Sequence, residues 1–158
     1  MKVHVIGVGN KMPAWVESGV GEYQKRLPRN FELVIKEIPL GRRGKANNDL
    51  DRIRDNEGKS ILNAVPANSY VIALDVQGKA LSTEAMAGKL RRIMDDGRSS
   101  LALLVGGPDG LSPECLEKAD EIWSLSALTL PHTVVRIVVA EQVYRIWSVL
   151  AGHPYHRE

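Results

Sequence analysis

The chain is poor in cysteine and in aromatic residues, and it has no long hydrophobic run. Its 158 residues include one cysteine, Cys115, and one phenylalanine. A single cysteine excludes an internal disulfide and fits a reducing compartment. No apolar run approaches the roughly 20 residues that span a bilayer. The opening Met1–Val5 has a strand-like pattern and lacks the apolar core of a signal peptide. We therefore expect a cytoplasmic protein.

What remains is the composition of an ordinary globular protein, with 44% hydrophobic and 25% charged residues. The length fits one domain over residues 1–158. The net charge of +2 hides an asymmetry, because residues 1–60 carry 12 Lys/Arg against 8 Asp/Glu and the rest carry 9 against 11. Two basic groups are candidates for binding RNA phosphates, with a solvated surface as the alternative. They are Lys25, Arg26 and Arg29, and then Arg42, Arg43 and Lys45.

Strand and helix patterns alternate along the whole sequence, which predicts a three-layer α/β/α fold with a mostly parallel sheet. The strand from Tyr70 is expected to end at Leu74, in a turn over residues 75–78. Ser82 and Ser112 are expected to cap helices, the second with Pro113 at its first position. Because ligands of such sheets bind beyond the carboxyl ends of the strands, Leu74, the glycine loop 106–110 and the segment 125–132 should share one edge.

The glycine patterns are weak on their own. Gly7-Val8-Gly9 follows the first strand, but Met12 stands where a dinucleotide-binding motif needs its third glycine, so a simple turn is favoured. Gly106 and Gly107 are better placed, since two glycines allow a ligand to approach the backbone closely.

The segment from Leu125 to His132 is apolar and contains no glycine, lysine or carboxylate. Such a loop is expected to be buried, with its own N–H and C=O groups free to bind a planar ligand such as adenine. The following helix, expected over residues 133–150, is apolar nearly all round, which predicts contact with a second subunit. Its narrow polar stripe consists of Arg136, Glu141, Gln142 and Arg145.

The tail combines two imidazoles, an aromatic ring and a guanidinium, and could supply a proton acceptor, a stacking surface and an anion stabiliser, with a frayed end as the alternative. His153 and His156 could form half of a metal site, but nothing completes it and no metal is expected. Cys115 has no histidine nearby in the sequence and is expected to be a packed thiol. A hydrolase using that thiol is therefore disfavoured.

Taken together, GGPDGLSP, SLSALTLPH, EQVYRIW and the terminal HPYHRE resemble one family, and the resemblance runs from the opening VHVIGVGNKMP to the last residue. The family is the RlmH group of SPOUT (α/β-knot) methyltransferases, which modify N3 of a pseudouridine in large-subunit ribosomal RNA. The resemblance implies a deep trefoil knot near the C-terminus, a homodimer, S-adenosylmethionine as cofactor and assembled ribosomes as the substrate. The rival interpretation is a non-catalytic, dimeric ribosome-binding protein.

The resemblance also implies roles for individual residues. The cofactor would lie in the knot, and the tail of the partner subunit would complete each active site. His156 is the first candidate for accepting the N3 proton and His132 the second, while Arg157 would stabilise negative charge and Tyr155 would stack on or orient the base. The expected cofactor residues are Leu74, Gly106, Gly107, Ala127, Leu128, Thr129, Leu130, Pro131 and His132.

Overall fold

The computed structural model describes residues 1–42 and 49–157, so the predicted RNA-binding residues Arg43 and Lys45 lie outside the described part. The strands are β1 (Lys2–Val8), β2 (Glu32–Ile38), β3 (Tyr70–Ala80), β4 (Ser100–Val105) and β5 (Glu121–Ser124). The helices are α1 (Ala14–Gln24), α2 (Leu50–Ala64), α3 (Thr83–Asp95), α4 (Pro113–Lys118) and α5 (His132–Ala151), followed by a 3-10 helix at Pro154–Arg157.

The five strands form one sheet in the order β2-β1-β4-β3-β5, and every neighbouring pair is parallel. Helices cover both faces, because the central strands are apolar on both sides. In β4, Leu101 and Leu103 belong to the core beneath α1, α3 and α5, whereas Ala102 and Leu104 belong to the core beneath α2 and α4. The α/β fold with a parallel sheet is confirmed.

Two helix starts follow the predicted capping chemistry. The Ser82 hydroxyl accepts a hydrogen bond from the Ala85 N–H at 3.1 Å, and the Ser112 hydroxyl accepts one from the Cys115 N–H at 3.2 Å. Both serines satisfy backbone donors that a helix leaves without partners in its first turn. No described helix is long and apolar enough to cross a membrane.

Strand β3 does not end at Leu74, which corrects the sequence-based boundary. Leu74 and Lys79 both pair with Trp123 of β5, so residues 75–78 bulge out of the ladder and the strand resumes as far as Ala80. Gly78 allows this arrangement, because a Cβ there would lie 2.7 Å from the backbone carbon of Trp123. The sequence predicted a turn that closes the strand at residues 75–78, whereas the structure has a bulge there and the strand continues.

Arg136 does not belong to an exposed polar stripe of α5, which corrects a second expectation. Its side chain is buried and donates hydrogen bonds to the carbonyl oxygens of Gly7, Val8 and Gly9. It also pairs with Glu37 at 3.1 Å. Charge-assisted bonds to several acceptors make a buried guanidinium tolerable. Arg136 therefore ties the start of α5 to the carboxyl ends of β1 and β2.

Candidate active site

A cleft of about 250 Å³ lies at the carboxyl edge of the sheet, bounded by the loops after β4 and β5, the bulge of β3 and the start of α5. Its position agrees with the rule that open α/β sheets bind ligands beyond the strand ends. Six of the expected cofactor residues line it: Leu74, Gly106, Gly107, Leu128, Thr129 and Leu130. Three others, Ala127, Pro131 and His132, do not line it.

The expected cofactor residues did not include Asp75, Val76 and Val135, which also line the cleft. Asp75 is the one ionisable side chain among the described lining residues. Its carboxylate accepts a hydrogen bond from the Gln77 N–H at 2.9 Å, which fixes the shape of the bulge. The signal for this residue was present in the sequence, since Asp75 directly follows the apolar run from Tyr70 to Leu74, which was expected to reach the ligand edge.

The segment after β5 is not buried in the chain as described, which corrects the expectation from its apolar sequence. Leu128 is 69% exposed, and Ala127, Thr129 and Pro131 are also exposed. The backbone expectation fits better. Ser126 accepts the Leu128 N–H, but no hydrogen bond of the described chain uses the N–H groups of Ala127, Thr129 or Leu130. An exposed apolar loop with unpaired amides suits a surface that a ligand or a second chain covers.

The glycine loop after β4 forms another wall of the cleft. Gly107 and Gly110 form a tight antiparallel bridge, and the Gly110 N–H donates to the Gly107 carbonyl at 3.0 Å. A Cβ on Gly106 would lie 2.5 Å from the Gly110 carbonyl carbon. Gly106 is therefore needed for the fold of this wall as well as for space beside a ligand.

These features define which ligand the cleft fits. The lining is mostly apolar and offers backbone groups, so it suits a flat, uncharged ring system, and Asp75 suits a positive charge elsewhere on the same molecule. A nucleoside with a cationic side arm satisfies both requirements. The volume lies below the roughly 300–1,000 Å³ of typical small-molecule sites, so the cleft of one chain is open and shallow.

His132 lies outside the cleft, although it is the first residue of α5. It is exposed, and a Cβ on Gly9 would lie 3.6 Å from its Cδ2 atom, so the imidazole packs beside the end of β1. A second cavity of about 150 Å³ lies nearby between α1 and β2, with Met12, Val16 and Arg136 in its wall. His132 lines neither cavity.

The C-terminal tail is ordered against its own chain. The His153 N–H donates to the Ser148 carbonyl at 2.9 Å, and the 3-10 helix then places the Tyr155 ring 4.5 Å from the Tyr144 ring. Burial, together with hydrogen bonds to Tyr23 and Glu141, raises the pKa of Tyr155 well above its ordinary value. This tyrosine therefore stays protonated at neutral pH and cannot serve as the proton acceptor there.

The next two residues of the tail are less engaged. His156 is half-buried and its Nδ1 atom has no hydrogen-bond partner within the described residues. Arg157 is exposed. The unpartnered Nδ1 atom is itself buried, whereas the guanidinium is accessible. An imidazole and a guanidinium side by side are groups that can accept a proton and stabilise an anion.

One chain does not bring its tail and its cleft together. Tail residues line none of the three cavities described, and the tail docks on α5 between Glu141 and Ser148, whereas the cleft touches α5 at Val135. Val135 and Glu141 are about 9 Å apart along the helix axis and lie on different sides of it. The two halves of the predicted site are therefore separate surfaces of the subunit.

The described residues of the two basic groups lie far apart in the structure. Lys25 and Arg26 pair with Glu22 at 2.8 Å at the end of α1, near the start of β2. Arg29 is exposed close by, whereas Arg42 is exposed beyond the other end of β2. A seven-residue strand is about 23 Å long, so Arg42 lies at the opposite edge of the sheet from Lys25, Arg26 and Arg29.

Cys115 is a fully buried thiol, as expected. Its Sγ contacts the Gly58 carbonyl oxygen at 3.5 Å, and burial raises the pKa of the thiol. A buried thiol with a raised pKa is a poor nucleophile, which disfavours a cysteine hydrolase.

Comparison with known families assigns the chain and its fold to a class. The family model described as "Predicted SPOUT methyltransferase" matches residues 1–156, and the chain belongs to this family. A crystal structure of a methylase family protein from Neisseria gonorrhoeae is similar in fold, with a TM-score of 0.53, 13% sequence identity, and coverage of 96% of this chain and 93% of that one.

Two curated relatives are much more similar in sequence. The chain is 52% identical to the ribosomal RNA large subunit methyltransferase H of Thioalkalivibrio sulfidiphilus over 158 residues, which is 100% of both chains. It is 51% identical to the protein of the same name from a Marinomonas species over 157 residues, which is 99% of this chain and 100% of the relative.

Proposed function

We propose that this protein is a single-domain, cytoplasmic methyltransferase that transfers a methyl group from S-adenosylmethionine to N3 of a pseudouridine in large-subunit ribosomal RNA, on assembled ribosomes. The observation that carries the proposal is the cleft at the carboxyl edge, with backbone-rich walls and one carboxylate. The full-length similarity to relatives named ribosomal RNA large subunit methyltransferase H supports the same reaction.

In this proposal the loops after β4 and β5 hold the cofactor by their backbone, and Asp75 faces its positive charge. The residues would be Leu74, Asp75, Gly106, Gly107, and Leu128 to Leu130. When bound, the cofactor supplies an activated methyl group on a cationic sulfur. We also propose that the segment 125–132 belongs to a trefoil knot, which would hold these loops rigidly.

The protein's remaining task is to prepare the acceptor. An imide nitrogen such as N3 is a poor nucleophile while it carries its proton. His156 would take that proton, and Arg157 would stabilise the negative charge that spreads over the flanking carbonyl oxygens. Both groups must be fixed near the cleft, because small misplacements lower the rate steeply.

The separation of tail and cleft supports a site shared across a homodimer. The half-buried apolar residues Val134 and Val138 of α5, together with Trp15 of α1 at 55% exposure, offer apolar surface to a partner. A second copy docked here would bring its own His156 and Arg157 to this cleft and would cover the exposed loop after β5. Lys25, Arg26 and Arg29 would then belong to the same copy as the tail at each site. Arg42 would belong to the copy whose cleft holds the cofactor.

Methylation of ribosomes lacking the modification tests the reaction. Purified protein and S-adenosylmethionine should produce one methylated pseudouridine per large subunit, detected by mass spectrometry of RNA fragments, and calorimetry should detect cofactor binding. A protein that binds ribosomes but neither binds the cofactor nor transfers methyl groups would instead support the non-catalytic alternative.

Mixed dimers test the sharing of the site. His156→Ala removes the tail function, and Thr129→Trp fills the cleft, so each variant alone should be inactive. Mixed in equal amounts and allowed to exchange subunits, they should recover about a quarter of wild-type activity, since half of the dimers would carry one complete site. Thr129→Val is the size-matched control. No recovery from a mixture shown to contain heterodimers would place the tail and cleft of each site in the same chain.

A further inference from the structure

Glu141 lies at the centre of a hydrogen-bond network on the tail side of α5. Its Oε1 atom accepts from the Tyr155 hydroxyl at 3.1 Å and from the Arg145 Nε at 2.8 Å. Its Oε2 atom accepts from the Gln142 amide at 2.8 Å, and the Gln142 Oε1 atom in turn accepts from the Thr83 hydroxyl at 2.7 Å. Both carboxylate oxygens are therefore engaged by donors of the same chain.

The Tyr155 ring is enclosed as well. The Tyr144 ring meets it edge-on at 4.5 Å and 64°, and the guanidinium groups of Arg145 and Arg26 lie 5.0 Å and 5.9 Å from its centroid. Aromatic pairs and cation–π contacts of this kind hold a ring in place. A ring surrounded in this way has no clear face to offer to an RNA base, in contrast to the role expected from the sequence.

Residues 156 and 157 follow directly on this anchored ring. They turn in the same short 3-10 helix, so the position of Tyr155 fixes where the imidazole and the guanidinium are presented. The network also reaches α3, which packs beside α5 on the same face of the sheet, because Thr83 is the first residue of α3. The tail is thus attached to the rigid core at a defined place.

We propose that Glu141 and Tyr155 form a clamp that positions the tail, with Tyr155 acting as a positioning residue that does not touch the base. This inference rests on the proposed function for its catalytic meaning. The clamp holds His156 and Arg157 in the geometry that proton acceptance and charge stabilisation require. Glu141 acts through Tyr155, so the two residues should behave as one unit.

A double-mutant cycle tests the clamp. Tyr155→Phe removes only the hydroxyl and keeps the ring, and Glu141→Ala removes the acceptor. Each should lower the single-turnover methylation rate by about 10- to 100-fold while cofactor affinity stays unchanged, because a displacement near 1 Å can cost that much. The double variant should be no slower than the slower single variant. Glu141→Gln should recover part of the rate, since its amide oxygen can still accept from the tyrosine.

Glu114→Ala is the control, because Glu114 forms an exposed i,i+4 pair with Lys118 at 3.7 Å on α4, which packs on the opposite face of the sheet from the tail. It should leave the rate unchanged. Wild-type activity in Tyr155→Phe would overturn the clamp and favour a stacking role for the ring. Multiplicative losses in the double variant would also overturn it, since the residues would then act separately.

Hydrogen exchange separates this inference from the proposed function. In Glu141→Ala, the amides of His153 and of residues 155–157 should exchange at least tenfold faster than in the wild type, whether or not the protein methylates RNA. If the wild type transfers no methyl group, the proposed function fails while faster exchange still supports the clamp. Unchanged exchange in both Glu141→Ala and Tyr155→Phe would refute the clamp independently of activity.

Discussion

The cleft and the tail are built in opposite ways. The cleft consists of loops whose backbone and apolar side chains form its walls, with Asp75 as its one described ionisable group. The tail concentrates a tyrosine, two histidines and an arginine, yet lines none of the described cavities. One region offers a cavity with a single carboxylate, and the other offers imidazole and guanidinium groups without a cavity. In the proposed function each is half of a catalytic site.

Removal of the C-terminal tail should cause the largest loss of activity. A chain that ends before Tyr155 should lose methyl transfer by at least about 10³-fold, because proton acceptance and charge stabilisation are lost together. Cofactor affinity, measured by calorimetry, should change less than twofold, since the cleft contains no tail residue. A truncated protein that still transfers methyl groups at the wild-type rate would assign catalysis to the cleft alone.

Arg136 and Arg145, two arginines of α5, should differ in their effect on stability. Arg136→Met leaves Glu37 and three carbonyl oxygens without their donor and should lower the free energy of unfolding by about 3–5 kcal/mol. Arg145→Met removes a side chain that is 23% exposed, against 6% for Arg136, and should cost about 1 kcal/mol or less. Urea unfolding measures both. Equal losses of unfolding free energy would mean that Arg145 contributes as much to the packed core as Arg136.

Asp75 should matter for cofactor affinity and hardly for stability. Asp75→Asn should weaken S-adenosylmethionine binding by about 10- to 100-fold, the range expected for losing one charge-assisted contact. Binding of S-adenosylhomocysteine should weaken less, because its sulfur is uncharged. Asp96→Asn, at the exposed end of α3, is the control and should change neither affinity. Equal losses for both ligands would show that Asp75 does not sense the sulfur charge.

The smallest effects should come from the two basic groups. Arg29→Gln and Arg42→Gln should each reduce the salt dependence of RNA binding by about 0.7–0.9 logarithmic units per decade of salt, the value for one phosphate contact. Cofactor affinity should not change. A reduced salt dependence in Arg42→Gln alone would restrict the RNA contact to the cleft edge. A reduced salt dependence in both variants would extend the RNA contact to the tail side.

The sequence predicted the parts of this molecule that depend on local pattern. Ser82 and Ser112 cap their helices, and the loops that follow three strands meet at one edge, because short-range chemistry and the parallel sheet determine both. Arg136 could not be placed, since its burial depends on carbonyl groups more than 120 residues away. The apolar segment after β5 was expected to be buried, because an apolar sequence pattern alone does not distinguish a segment of the core from an exposed apolar surface.

The bulge in β3 gives the cleft a rim that can change without disturbing the sheet. Since Leu74 and Lys79 both pair with Trp123, residues 75–77 can vary in side chain while the register on either side stays fixed. Gly78 cannot vary in the same way, because it presses against the backbone of β5. The ligand preference of the cleft could therefore be changed by substitutions at residues 75–77, while Gly78 is kept.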